Sequence, residues 1–301
     1  MHITIGIFGN RDFVKKLAKQ GTVNDIMIYN HTSSEGVFTY VAPNSPEEKI
    51  QPLLQAINMI DVPVIVSDEL TKELAEQIIA LDAFGFEKGF VISSSEDLKK
   101  IIRGTSIEKF EWLADERILM EKIRSIKSSP ATDEIWIPVD NYFNVKSVGT
   151  VILSVMKGGT VKKYDKLTIE PLGKEVVVKG IQSQDKDIEE ASQGMRVGLS
   201  LKGVDADDIK RGYVICKKSL VSKNVSIEFS KNKYSKEAMG IGTQIFLSIG
   251  VQVIAGRIEK EEGNILSVLL EQPAVYLTGQ KCMLASTTQK LPRILGTGIM
   301  R

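Results

Sequence analysis

The residue types that most often carry chemistry exclude more here than they offer. Cys216 and Cys282 are the only cysteines and lie far apart, each inside an apolar stretch, so neither a disulfide framework nor a cysteine-rich zinc site can be assembled. His2 and His31 stand alone, which argues against histidine metal sites and against serine–histidine–acid chemistry. No catalytic residue and no metal ligand set is expected. What remains is lysine. Lys15 and Lys16 follow the apolar run Ile3–Phe8 in an expected helix, at whose N-terminus the helix dipole and the ammonium groups both favour an anion. The alternative is that Lys15, Lys16 and Lys19 form a solvated helix face. Further on, Lys217, Lys218, Lys223, Lys231, Lys233 and Lys236 are spaced to follow a phosphate backbone, or to form an ordinary solvated surface.

The elements that must position these groups change character along the chain. Apolar runs at Ile3–Phe8, Asp25–Tyr29, Gly36–Val41, Val62–Val66 and Gly89–Ile92 read as strands. Helical spacing at Arg11–Lys19, Glu47–Asn58, Thr71–Phe84, Ser95–Ile102 and Ile107–Ile126 reads as the helices between them, which predicts a parallel sheet covered on both faces. Lys127-Ser128-Ser129-Pro130 marks a linker. From Ile135 onward short β-branched runs alternate with glycine and charged turns, and a second break falls near Lys217–Lys223. That pattern predicts two successive β-barrels. The expected architecture is multi-domain, with an α/β domain over 1–128 and all-β barrels over 131–218 and 221–301.

A chain of 301 residues accommodates two or three compact domains. Its 39 Lys and Arg balance 38 Asp and Glu, so it is neither a polybasic arm nor an acidic disordered tail. The excess is local, with ten basic against six acidic side chains over residues 219–301. The opening MHITIGIFGN lacks the charge and apolar length of a signal peptide, and no run approaches a membrane span. A cytoplasmic protein without membrane or DNA partners is expected.

In the middle of the chain, Ile137-Pro-Val-Asp-Asn-Tyr-Phe143 leads to Val148-Gly-Thr-Val151, Gly158-Gly-Thr-Val-Lys162 and Asp165-Lys-Leu167. Val178-Lys-Gly-Ile-Gln-Ser183, Leu201-Lys-Gly-Val204 and Asp208-Ile-Lys-Arg-Gly212 follow in order. This series resembles the second domain of translational GTPases of the elongation factor Tu class. Pro171-Leu-Gly-Lys-Glu175 and Ile181-Gln-Ser-Gln-Asp185 are most similar to the archaeal SelB-like branch. The ending Arg293-Ile-Leu-Gly-Thr-Gly-Ile299 resembles the closing strand of SelB-like and initiation factor two gamma proteins.

That resemblance implies a P-loop GTPase-like domain in front, with GTP or GDP and magnesium as cofactors. A P-loop needs G-x-x-x-x-G-K-[ST], since glycines expose backbone N–H groups to the phosphates, lysine reaches the β- and γ-oxygens and a hydroxyl holds magnesium. The aligned stretch is Gly9-Asn-Arg-Asp-Phe-Val14-Lys15-Lys16. Gly9, Asp12 and Lys15 stay in frame, while Val14 replaces the second glycine and Lys16 the hydroxyl. Ser93-Ser-Ser-Glu96 stands where the family reads the guanine base, with Glu96 as the one acceptor retained. The implied domain is therefore degenerate, and a residual nucleotide site would use Gly9, Asp12, Lys15, Lys16 and Glu96.

For transfer RNA, the resemblance places the aminoacyl end on the second domain. Asp140 and Phe143 match the family's acidic and aromatic pocket positions, Asn141 replaces an acidic residue, Met195 replaces a glutamate and Arg196 an asparagine. Met195 can stack on a base and Arg196 can contact phosphate. Alternatively, Phe143 is barrel core and Arg196 a paired surface charge. Three functions stay open: a SelB-like factor homologue that binds transfer RNA or a ribosome-associated partner with GTP hydrolysis weak or lost, an active GTP-binding elongation factor, and a protein-interaction module without RNA binding.

Overall fold

The computed structural model describes residues 2–34, 36–126, 132–288 and 290–301, and the expected linker Lys127-Ser128-Ser129-Pro130 lies outside them. The first part is a seven-stranded sheet. In chain order its strands and helices are β1 (His2–Gly9), β2 (Lys19–Val23), β3 (Ile26–Ser33), β4 (Gly36–Pro43), α1 (Gln51–Met59), β5 (Val62–Val66), α2 (Lys72–Phe84), β6 (Phe90–Ile92), α3 (Glu96–Ile101), β7 (Glu111–Trp112) and α4 (Glu116–Arg124). The sheet runs β2-β3-β4-β1-β5-β6-β7.

Period-two alternation sorts the strand residues onto the two faces. Ile3, Ile5 and Ile7 of β1 join Phe38, Tyr40 and Ala42 of β4 in one core, with Leu119 and Ile123 of α4. Phe8, Val41, Ile65 and Val91 face the other way, against α1 and α2. The expected parallel sheet holds from β4 through β1, β5 and β6 to β7. Beyond β4 it does not, because β3 and β2 add as antiparallel strands.

Two expected helices differ. Where Arg11–Lys19 was to be helical, a single 3-10 stretch spans Arg11–Lys16 and Lys19–Val23 pairs with β3. Strand pairing claims the residues that the helix would need, and the stretch left before β2 is too short to propagate one. Phe13, Val14 and Leu17 nevertheless bury against the sheet as their spacing implied. Ile107–Ile126 is likewise divided. Glu111 and Trp112 pair with β6 at the sheet edge, and the Asp115 carboxylate accepts the Ile118 N–H at 2.9 Å to begin α4.

The remainder is β-barrel. One sheet orders Trp136–Pro138, Val214–Cys216, Lys166–Glu170, Lys174–Ser183, Arg196–Lys202, Gly149–Val155 and Asn141–Val145. The last six strands, from Leu220–Lys231 to Ile294–Met300, form a closed barrel. The parts share apolar cores. Val155 of the middle barrel and Val251, Met283, Ala285 and Ile294 of the closed barrel belong to the cluster built on α1 and α2, while Trp136, Cys216 and Val275 join the two barrels. Among the described residues no helix is long and apolar enough to cross a membrane.

Candidate functional site

Parallel strands deliver their C-terminal ends to one edge of the sheet, and the turn after β1 is where a nucleotide phosphate would be expected. Gly9 closes β1 with φ of +82°, and a Cβ there would meet the Val66 carbonyl oxygen at 2.4 Å. Only glycine fits. The neighbouring amides are already committed: Gly9 donates to Gln77 Oε1 at 2.8 Å, and Asn10 donates to the Val66 carbonyl at 2.7 Å.

A cleft of about 450 Å³ opens beside this turn, lined by Gly9, Asn10 and Arg11 with Glu47, Asp68, Glu69, Glu73 and Gln77. Four carboxylates face one guanidinium, which itself pairs with Glu47 at 3.4 Å. Asp68 accepts from the Ser94 N–H and hydroxyl at 2.9 and 2.8 Å, and these bonds hold its carboxyl below the usual range. It is ionised at neutral pH and repels an anion.

The structure does not bring the other expected nucleotide residues to this cleft. Asp12 and Lys15 pair with each other at 2.7 Å on the surface, which lowers the Asp12 pKa and raises that of Lys15. The Lys16 ammonium lies 5.7 Å from the Phe13 ring centre. Glu96 opens α3 and pairs with Lys99 at 2.7 Å. Val14 is fully buried. The expected first helix is corrected: it is replaced by the short 3-10 stretch, and Lys15 and Lys16 are absent from the cleft lining. As it stands, the turn offers a triphosphate neither the Gly9 and Asn10 amides nor net positive charge, and its residues do not fit magnesium-bound GTP.

Of the expected transfer RNA pocket, the structure brings Asp140 and Arg196 together and sets Phe143 opposite Val151, away from Met195, which bonds to Met156. Asp140 and Arg196 form a two-pronged ion pair, Nη1 to Oδ2 and Nη2 to Oδ1. Both are buried, so Arg196 is paired but is not a surface charge. Burial raises the Asp140 carboxyl above its usual range against the pull of Arg196. Asn141 opens the strand Asn141–Val145 and accepts the Tyr142 N–H at 3.0 Å. Phe143 is 41 % exposed, so it is not barrel core. The Met195 carbonyl accepts from the Met156 N–H at 3.0 Å, and its sulfur accepts from the Ser192 N–H at 3.3 Å. A second cleft of about 290 Å³ runs between β2 and the strand holding Arg196, bordered by Lys19, Asn30, Gln182 and Gln184.

Sequence reasoning missed the residues that fasten the parts together. Arg293 of the closed barrel donates to Glu76 of α2 through its backbone N–H at 2.7 Å, Nε at 3.1 Å and Nη2 at 2.5 Å, and Nη2 also reaches the Pro46 carbonyl at 2.7 Å. Gln55 of α1 donates to the Val251 carbonyl at 3.0 Å. Lys157 donates to the Met59 carbonyl, and Arg211 reaches Asp25 at 3.3 Å. One signal was available for α2. Gln77 lies three residues after Leu74 and four before Leu81, inside an apolar stripe where an amide needs a partner.

Comparison with known proteins agrees with this architecture. Residues 149–216 match the family described as elongation factor Tu domain 2. The chain is 36 % identical over 304 residues to the uncharacterized protein MJ0325 of Methanocaldococcus jannaschii, covering 98 % of each. It is 25 % identical over 297 residues to the selenocysteine-specific elongation factor of the same organism, covering 87 % of this chain and 63 % of that one. Its fold superimposes with a TM-score of 0.86 on translation elongation factor SelB from Methanococcus maripaludis, crystallised with the GTP analogue GppNHp, at 20 % identity over all of this chain and 79 % of that one.

Proposed function

The chain belongs to the SelB-like family of translation-factor homologues, the family of protein MJ0325, and we propose that within it this protein binds a transfer RNA or a ribosome-associated partner on its barrels while its α/β domain acts as a scaffold with GTP hydrolysis weak or lost. The reading takes the domains to run 1–128, 131–218 and 221–301. The observation that carries it is the Gly9 amide, which is bonded to Gln77 beside a cleft of four carboxylates. A triphosphate entering there would have to break that bond and overcome like-charge repulsion. On the barrels, exposed Phe143 supports a surface on which a nucleotide base can stack.

Calorimetric titration with GTP and GDP, each with and without magnesium, tests the scaffold reading. No binding at millimolar nucleotide is expected. Binding tighter than about 10 μM, worth roughly 7 kcal/mol, would return the active elongation factor to first place. Gel-shift titration with bulk transfer RNA, aminoacylated and uncharged, tests the partner, and loss of any shift in Phe143→Ala would place the contact on the middle barrel.

A further inference from the structure

We propose that α2 is a fixed strut in which Gln77 occupies the anion position at the β1 turn and Glu76 grips Arg293 of the closed barrel, so that the α/β domain stays docked in one arrangement that no nucleotide sets. The proposal rests on the scaffold reading of the β1 turn and adds to it a statement about how the whole chain is held.

Successive residues of an α-helix point about 100° apart, so neighbours on α2 can serve two different parts of the molecule. Gln77 turns toward β1, where its carbonyl oxygen takes the Gly9 N–H at 2.8 Å. Glu76 turns toward the closed barrel, where its carboxylate takes the backbone N–H, Nε and Nη2 of Arg293. Glu76, Gln77 and Arg293 are all buried. Neither end can let go alone. An anion at Gly9 must expel Gln77 from the helix–sheet contact, and movement of α2 would leave the Glu76 carboxylate and the Arg293 guanidinium buried without each other. Beside the strut, Asn58 of α1 donates to the Ser248 hydroxyl at 3.0 Å, and Thr297 donates to the Ala83 carbonyl at 3.2 Å. Every link in this path joins a side chain to another side chain or to the backbone of the protein itself.

Spin labels on Glu87→Cys and Glu261→Cys, both at exposed positions in the α/β domain and the closed barrel, measure the arrangement directly. Cys216 and Cys282 are buried and will not compete for label. By double electron–electron resonance the nucleotide-free protein should give one narrow distance distribution, unchanged by GTP, GDP or a non-hydrolysable analogue with magnesium. Arg293→Met alone, which leaves the buried Glu76 carboxylate without its partner, should broaden it, roughly twofold, by letting the parts separate. A broad distribution in the unliganded protein, a shift on adding nucleotide, or a narrow distribution retained in the Arg293→Met variant would each overturn the strut. If that variant does not fold, the unsubstituted protein with and without nucleotide still decides. Calorimetry separates the two readings: nucleotide binding with an unchanged distance overturns the scaffold reading and leaves the arrangement fixed, whereas a broad distance without binding does the reverse.

Discussion

Asp140 and Arg196 sit in the middle barrel with side chains 1 % and 8 % exposed, so each replaces water that the other has lost. Removing one partner leaves an uncompensated buried charge. Arg196→Ala is expected to cost about 3–5 kcal/mol, whereas Asp140→Leu with Arg196→Met should recover most of it; urea midpoints of the three proteins check both statements. His2 gives a pH dependence. Burial lowers its imidazole below the ordinary 6.5, and its Nδ1 is buried without a hydrogen-bond partner. The unfolded chain therefore takes up a proton before the folded one as pH falls, so stability is full above the ordinary value and declines below it. The urea midpoint should be lower at about pH 5.5 than at about pH 7.5, and His2→Gln should remove much of the difference. At this scale the sequence identified residue types but not their surroundings. Arg196 could be read as a phosphate contact or a paired surface charge because Asp140, 56 residues away, joins it only once the barrel forms.

Strands β1, β4 and β5 and helices α1 and α2 were legible because their apolar periodicity is long and agrees with local propensity. The first helix was not. Phe13, Val14 and Leu17 bury as a helix face would, yet pairing of β2 with β3 decides the backbone around them, and nothing local announces that pairing. This bears on the position that most obviously departs from a phosphate-binding loop. Val14 is packed in the core with an ordinary backbone conformation, so restoring glycine there does not restore a loop. Val14→Gly should lower stability by about 2–4 kcal/mol through cavity formation and added backbone freedom, with no gain in nucleotide affinity by calorimetry. A recovered affinity would show that the valine, rather than Gln77 and the carboxylates, is what keeps phosphate out.

Order and type of the three parts followed from composition and from the resemblance, and the middle part carries its motif in consecutive strands. How the parts dock was illegible, since the contacts join positions such as Gln55 and Val251, 196 residues apart, that no periodicity relates. Because α1 and α2 share one apolar cluster with both barrels, the protein should unfold as a unit. Scanning calorimetry is expected to give one transition with matching calorimetric and van't Hoff enthalpies, and Arg293→Ala should divide it by weakening the joint between α2 and the closed barrel. The same joint governs how the protein is made. Arg293 follows Glu76 by 217 residues, and a ribosome adding 5–20 residues per second needs about 10–40 s to cover that interval. Throughout that time the nascent α/β domain carries an unclaimed carboxylate and the bare apolar flank of α1 and α2. That flank is covered only when the segment bearing Arg293 has left the exit tunnel and docked on α2.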